Sequence, residues 1–362
     1  MEERWPDWLM EHGGASIQYR VARELLGETS PSRLRHLQDA MVATPGAQAW
    51  LAHLKATPPM RANDIHGSGD GQFENAMAKL LRLGFHAGIP VFDALVEPYL
   101  DHLTQESIHT PCRASFSAIV LSGLLVAAGY RTDPLLRHAH GSLGELTSFA
   151  ALGLSSLYEE NRTPYRGIPS VWSDRPLIRP SLIAQCGFCF PLVYDLFALS
   201  SLYGEDHQTD RQIVTILDSL LSNAFHTTVA DGYGILAAGS GRYHAMGWDP
   251  KLPGYFDPSE AIEHSPNRLV LYAELLSPLP AATCTPWYGA VVAHLDSLRS
   301  EDGHVCFPAT YLPEATGYAV MGCHMGLGEN RRHRRWRELE STFVLCRLHS
   351  LSSALPKARS IS

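Results

Sequence analysis

The sequence predicts an all-α protein. Apolar residues recur at helical spacing in one segment after another, almost no stretch alternates apolar and polar residues for long, and Gly/Pro-rich connections punctuate the segments. In chain order, the periodicity predicts helices over Trp8 to Leu26, Ser32 to Ala52, Phe73 to Gly84, Val91 to Leu103 and Arg113 to Ala128. Further helices are expected over Leu182 to Tyr203, Asp210 to Phe225, Pro286 to Leu298 and Arg334 to Leu348.

Two irregular regions break this rhythm. Residues 158–180 carry Arg162, Pro164, Arg166, Pro169, Trp172, Arg175, Pro176, Arg179 and Pro180, and residues 230–266 carry Tyr233, Tyr243, His244, Trp248, Tyr255 and Phe256 among glycines and prolines. Long aromatic loops commonly form lids or rims, although they also pack over the end of a helical array. Three Asp-Gly steps, Asp70-Gly71, Asp231-Gly232 and Asp302-Gly303, mark one end of an irregular helical-hairpin repeat. Such a repeat stays open or closes on itself, and closure removes the apolar ends that an open stack must cap. A single α/α toroid spanning residues 1–362 is therefore expected, with helical hairpins around a central pocket.

Composition narrows the function. The 362 residues are 45% hydrophobic and 18% charged, enough for a large core, and the net charge of -8 argues against a nucleic-acid surface. The basic run of Arg331, Arg332, His333, Arg334, Arg335 and Arg337 is local, and reads as a solvated helix start or an anion contact. The longest apolar segment, Ala118 to Ala128, contains Ser122 and Gly123 and is too short to span a bilayer. The opening Met1-Glu-Glu-Arg-Trp-Pro-Asp-Trp8 lacks the features of a secretory signal, and seven cysteines without framework spacing suit reduced thiols, so a cytoplasmic protein is expected. Neither sequence nor composition fixes an oligomeric state.

The segment Asn63 to Asn75 gathers Asp64, His66, Asp70 and Glu74 around a glycine turn that feeds a helix. The start of a helix favours negative charge, so this segment is the expected rim of an active site. Capping and turn chemistry explain the same residues without catalysis.

The Asp-Gly turns in Asp70-Gly-Gln-Phe-Glu74 and Asp302-Gly-His-Val-Cys-Phe-Pro308, the segment Tyr243-His-Ala-Met-Gly-Trp248 and the tandem hairpins resemble bacterial members of the prenyltransferase and squalene cyclase-like superfamily. The opening Trp8-Leu-Met-Glu-His-Gly-Gly-Ala-Ser-Ile-Gln-Tyr-Arg20 and the closing Trp336-Arg-Glu-Leu-Glu-Ser-Thr-Phe343 extend the resemblance over most of the chain. It implies an α/α toroid whose inner helices surround a pocket, and an enzyme acting on a hydrophobic, isoprenoid-like molecule by acid/base or carbocation chemistry. On that reading Asp64, His66, Asp70 and Glu74 are catalytic, and Trp172, Tyr233, Tyr243, His244, Trp248, Tyr255 and Tyr318 line the substrate. The chain departs from cyclases in lacking both the Asp-x-Asp-Asp proton donor and the Asp-Asp-x-x-Asp magnesium signature.

Other chemistries remain open. Cys284, Cys323 and His324 follow the order of the zinc ligands in lanthionine cyclases, which are also α/α toroids, and Cys186-Gly-Phe-Cys189 has CxxC spacing. Buried helix cysteines are usually small hydrophobes, so the expectation is a protein without bound metal or other cofactor. Tyr243-His244 and Asn267-Arg268 would suit a carbohydrate lyase or hydrolase. A noncatalytic protein that encloses a small ligand is a further alternative. Walker loops, nucleophile elbows and dinucleotide fingerprints are missing. Glu340 in the closing segment reads as an inward residue at the seam of the ring.

Overall fold

The computed structural model describes residues 5–55, 60–109, 115–154, 157–182, 190–237 and 241–354, and these are mostly helical. The first half runs α1 (Trp5–His12), α2 (Ala15–Arg20), α3 (Pro31–Val42), α4 (Pro45–His53), α5 (Ala62–Ile65), α6 (Phe73–Leu83), α7 (Pro90–His109), α8 (Phe116–Ala127) and α9 (Asp133–Ala150). The second half runs α10 (Val193–Leu202), α11 (His207–Leu220), α12 (Asn223–Thr228), α13 (Pro258–His264), α14 (Pro266–Leu276), α15 (Pro280–Thr283), α16 (Pro286–Ser297) and α17 (Trp336–Ala354). Strand β1 (Ile235–Ala237) pairs antiparallel with β2 (Tyr243–Ala245) inside the second irregular region.

Local chemistry divides two segments that periodicity joins. Thr44-Pro45 starts a new helix within the expected Ser32 to Ala52 span, because Thr44 Oγ1 accepts from Ala47 N at 3.2 Å and Pro45 occupies the first turn. Gly13 and Gly14 separate α1 from α2, and α2 widens into a π-helical turn over Val21–Leu25. The expected helix from Leu182 to Tyr203 begins at Val193, with residues 183–189, including Cys186 and Cys189, outside the described residues.

Burial sorts the helices into two kinds. Most positions of α2, α6, α8, α10, α14 and the middle of α17 are buried, whereas α3, α9 and α11 bury one face. Buried helices touch in sequence: α2 packs on α6, α6 on α8, α8 on α10, α10 on α14, α14 on α17, and α17 returns to α2. α8 and α10 approach closely at Gly123, where a Cβ would stand 2.4 Å from the Tyr194 carbonyl oxygen.

The return from α17 to α2 is made by charge. Glu24 in the π-helical turn accepts from Arg20 Nε at 2.9 Å, Arg23 Nη2 at 2.9 Å and Arg347 Nε of α17 at 2.9 Å. Burial alone would raise the Glu24 pKa, but Arg20, Arg347 and Arg23 outweigh it and hold the carboxyl well below the usual range. Arg347 Nη1 also lies 3.6 Å from Glu274 Oε1 of α14, and Arg82 of α6 binds the other oxygen of Glu274.

Glu340 is fully buried in α17, as expected of an inward residue. It accepts from Leu327 N at 2.8 Å and Glu329 N at 3.2 Å, so it pins the preceding loop. Burial pushes its pKa up to about 7. The basic run beside it is partly spent on structure, with Arg331 over the Trp336 ring at 4.3 Å and donating to the Leu312 carbonyl. No helix among the described residues is long and apolar enough to cross a membrane.

Candidate active site

The first turns of α6, α8 and α10 meet at one end of the buried helices. Glu74 is the second residue of α6 and is completely buried. Its side chain turns back onto the glycine loop, where Oε1 accepts from Gly67 N at 3.0 Å and lies 3.0 Å from His66 Nδ1. The Tyr194 hydroxyl, from the first turn of α10, donates to Glu74 Oε2. Beside Glu74, buried Asn75 donates to the carbonyls of Gly67 and Gly69 at 2.7 and 2.8 Å and accepts from Ala319 N at 2.8 Å. These bonds fix the Gly67 amide and the Gly67 and Gly69 carbonyls against the start of α6.

These bonds determine the tautomer of His66. Tyr194 Oη lies 3.3 Å from His66 Nδ1, but its single proton is directed at Glu74. Toward His66 the Tyr194 oxygen can only accept, as can Glu74, so the Nδ1 position carries the proton. Nε2 is left with a lone pair and no partner among the described residues, on a side chain that is 21% exposed. Burial, then the neighbouring Glu74, pushes the Tyr194 pKa far above the ordinary tyrosine value, so the phenol stays a donor.

Aromatic faces enclose the imidazole. Tyr318 stacks on it at 5.1 Å, while Phe116, Trp248 and Tyr194 meet it edge-on at 4.8, 5.2 and 6.4 Å. Trp248 packs on Tyr318 at 4.3 Å, and its carbonyl accepts from Val193 N at 2.8 Å, joining the loop to the start of α10. Trp248 has φ +66°, a left-handed conformation unfavourable for a bulky residue. Backbone strain of this kind concentrates at functional sites.

Of the expected site residues, the structure brings together His66, Glu74, Trp248 and Tyr318. Asp64 is exposed and caps its own short helix through Arg61 N at 2.7 Å. Asp70 faces away toward His324, its Oδ1 standing 4.0 Å from His324 Nε2. The expected aromatic lining is dispersed. Tyr233 is buried and donates to the Pro191 carbonyl at 2.5 Å, and Tyr243 ties the two irregular regions through Arg166 O at 3.0 Å. Tyr255 stacks on His226 at 3.7 Å, half-buried Trp172 ends an otherwise exposed 3-10 turn, and His244 is exposed. Packing uses the rings of Tyr233 and Tyr255 because each hydroxyl reaches a backbone carbonyl. Tyr194 and Phe116 complete the cluster and have no marker in the sequence beyond aromatic character at a helix start.

The zinc candidates do not converge. Cys284 is exposed after α15, whereas His324 is buried and bonded through Nε2 to Gly317 O at 3.0 Å. Among the described residues no group of three or more His, Cys, Asp and Glu side chains could hold a metal ion. Compared with protein-family models, with curated proteins and with solved structures, the chain finds no match.

Proposed function

We propose that the protein is an α/α toroid enzyme in which His66, positioned by Glu74 and Tyr194, exchanges a proton with an apolar, isoprenoid-like small molecule. The cyclic order of contacts among α2, α6, α8, α10, α14 and α17 supports the toroid, and with it the resemblance to the prenyltransferase and squalene cyclase-like superfamily. The observation that carries the chemistry is the free Nε2 lone pair of an imidazole whose other nitrogen is held against a buried carboxylate. The faces of Tyr318, Trp248 and Phe116 suit an unsaturated substrate and any positive charge that develops on it. Proton removal next to a polarised or departing group makes the reaction an isomerisation or elimination. Direct protonation of an alkene fits poorly, since no strongly acidic Asp pair stands at the site. The expected setting is the cytoplasm.

The test is to incubate wild-type and His66→Asn protein with a metabolite extract of the source, together with farnesol and geranylgeraniol, and to follow retained and converted molecules by mass spectrometry. Conversion by the wild type, with binding but no conversion by His66→Asn, supports the proposal. Equal conversion by both rejects His66 as the acid/base group, and retention without conversion by either favours a binding protein.

A further inference from the structure

At the opposite end of the buried helices lies a cavity of about 450 Å³, to which α2 with its π-helical turn, α6, α8, α10, α14 and α17 all contribute. Among the expected catalytic and substrate-lining residues, none reaches it. Its volume lies within the range of small-molecule sites. Leu81, Phe85, Phe197, Leu271 and Leu351 give it apolar walls. One flank is the charged network, in which Arg20, Arg23, Arg82 and Arg347 face only Glu24 and Glu274. The cavity also meets His86 and His324, whose charged form burial disfavours, so the cationic excess rests on the arginines.

Part of the cationic excess answers the carbonyl end of α6 and one loop carbonyl. Arg20 Nη1 donates to Arg82 O at 2.7 Å, Arg23 Nη1 to Gly84 O at 3.3 Å and Arg82 Nε to Met325 O at 2.8 Å. Donors still remain. Arg82 and Arg347 grip opposite oxygens of Glu274, yet Arg82 Nη2 is buried without an acceptor and Arg347 Nη2 has no protein partner among the described residues. A buried guanidinium N-H group without an acceptor is costly, and a carboxylate or phosphate matches its fork.

We infer that this cavity binds a small amphipathic anion, its carboxylate or phosphate taken by Arg82 and Arg347 and its apolar body laid against the leucine and phenylalanine walls. The site is separate from His66 and does not depend on the proposed reaction.

Titration calorimetry with octanoate, octyl phosphate and octanol tests this inference. Octanoate or octyl phosphate should bind at least about tenfold more tightly than octanol, the smallest effect expected of one charge-assisted hydrogen bond, and the stronger of the two identifies the head group. Arg347→Met should weaken the anion by roughly tenfold and leave octanol unchanged. Ala78→Phe, which fills the cavity from the α6 wall while leaving every charged residue in the sequence, should abolish binding of all three. Octanol binding as tightly as both anions, no binding of either anion, or anion binding that survives Ala78→Phe would overturn the inference. The comparison on wild-type protein decides the matter even if Arg347→Met does not fold.

Discussion

Replacing Glu24 by Gln tests the charge network that joins α17 to α2 and its π-helical turn. Glu24 makes charge-assisted bonds to Arg20, Arg23 and Arg347, and its side chain is only 18% exposed. Neutralising it leaves three guanidiniums facing one another. Removing one partner of a buried pair costs about 3–5 kcal/mol, and the partial exposure of Arg23 and Arg347 places the expected loss near the lower figure, about 3 kcal/mol. Urea unfolding at neutral pH measures it directly. The difference from wild type should shrink as pH falls: a carboxylate with a depressed native pKa contributes stability above its unfolded pKa, here 4.5, and loses it as acid protonates the native state. Combining Glu24→Gln with Arg347→Met should give a coupling energy of about 1 kcal/mol or more if these side chains hold α2 and α17 together. A loss below about 1 kcal/mol for the single variant, at every pH, would refute the reasoning.

Three further outcomes follow from other buried positions. Glu340 has a native pKa raised to about 7, so wild-type stability should decline as pH rises from 4.5 through 7, and Glu340→Gln should recover up to roughly 3 kcal/mol at and above neutrality, read from thermal unfolding across that range. Gly123→Ala places a Cβ against the Tyr194 carbonyl and should destabilise the protein by about 1–3 kcal/mol in denaturant titration, while an unchanged midpoint would show that α10 moves freely. Tyr194→Phe removes the donor to Glu74 and should cost about 1–3 kcal/mol, with no loss in urea unfolding showing that the bond is not formed.

The sequence made the helical class legible because helices such as α3 and α11 bury one stripe, which leaves a helical period. It did not reveal α14, whose residues Leu269 to Glu274 are all buried and carry no alternation of faces, nor α9, where Gly141 and Gly144 lie within an otherwise helical pattern. At the site, His66 and Glu74 could be read together because one glycine loop joins them. Asp64 and Asp70 look equivalent in sequence, yet the loop turns one toward Arg61 and the other toward His324. Tyr194 meets Glu74 across 120 positions of sequence, a separation over which spacing carries no signal. The cavity network was hidden for the same reason, since Glu24 and Arg347 are distant charges that resemble surface residues until the helices close over them.

The most direct measurement of the central claim is the tautomer of His66, from nitrogen NMR of protein labelled in its histidine rings, with His66→Asn assigning the signal. For the neutral ring the account predicts a proton on Nδ1 and a lone pair on Nε2, lost as a unique state when Glu74 is replaced by Gln. A neutral His66 protonated on Nε2 would contradict it, because Nδ1 would then be an acceptor and the nitrogen facing outward would have no lone pair with which to take a proton.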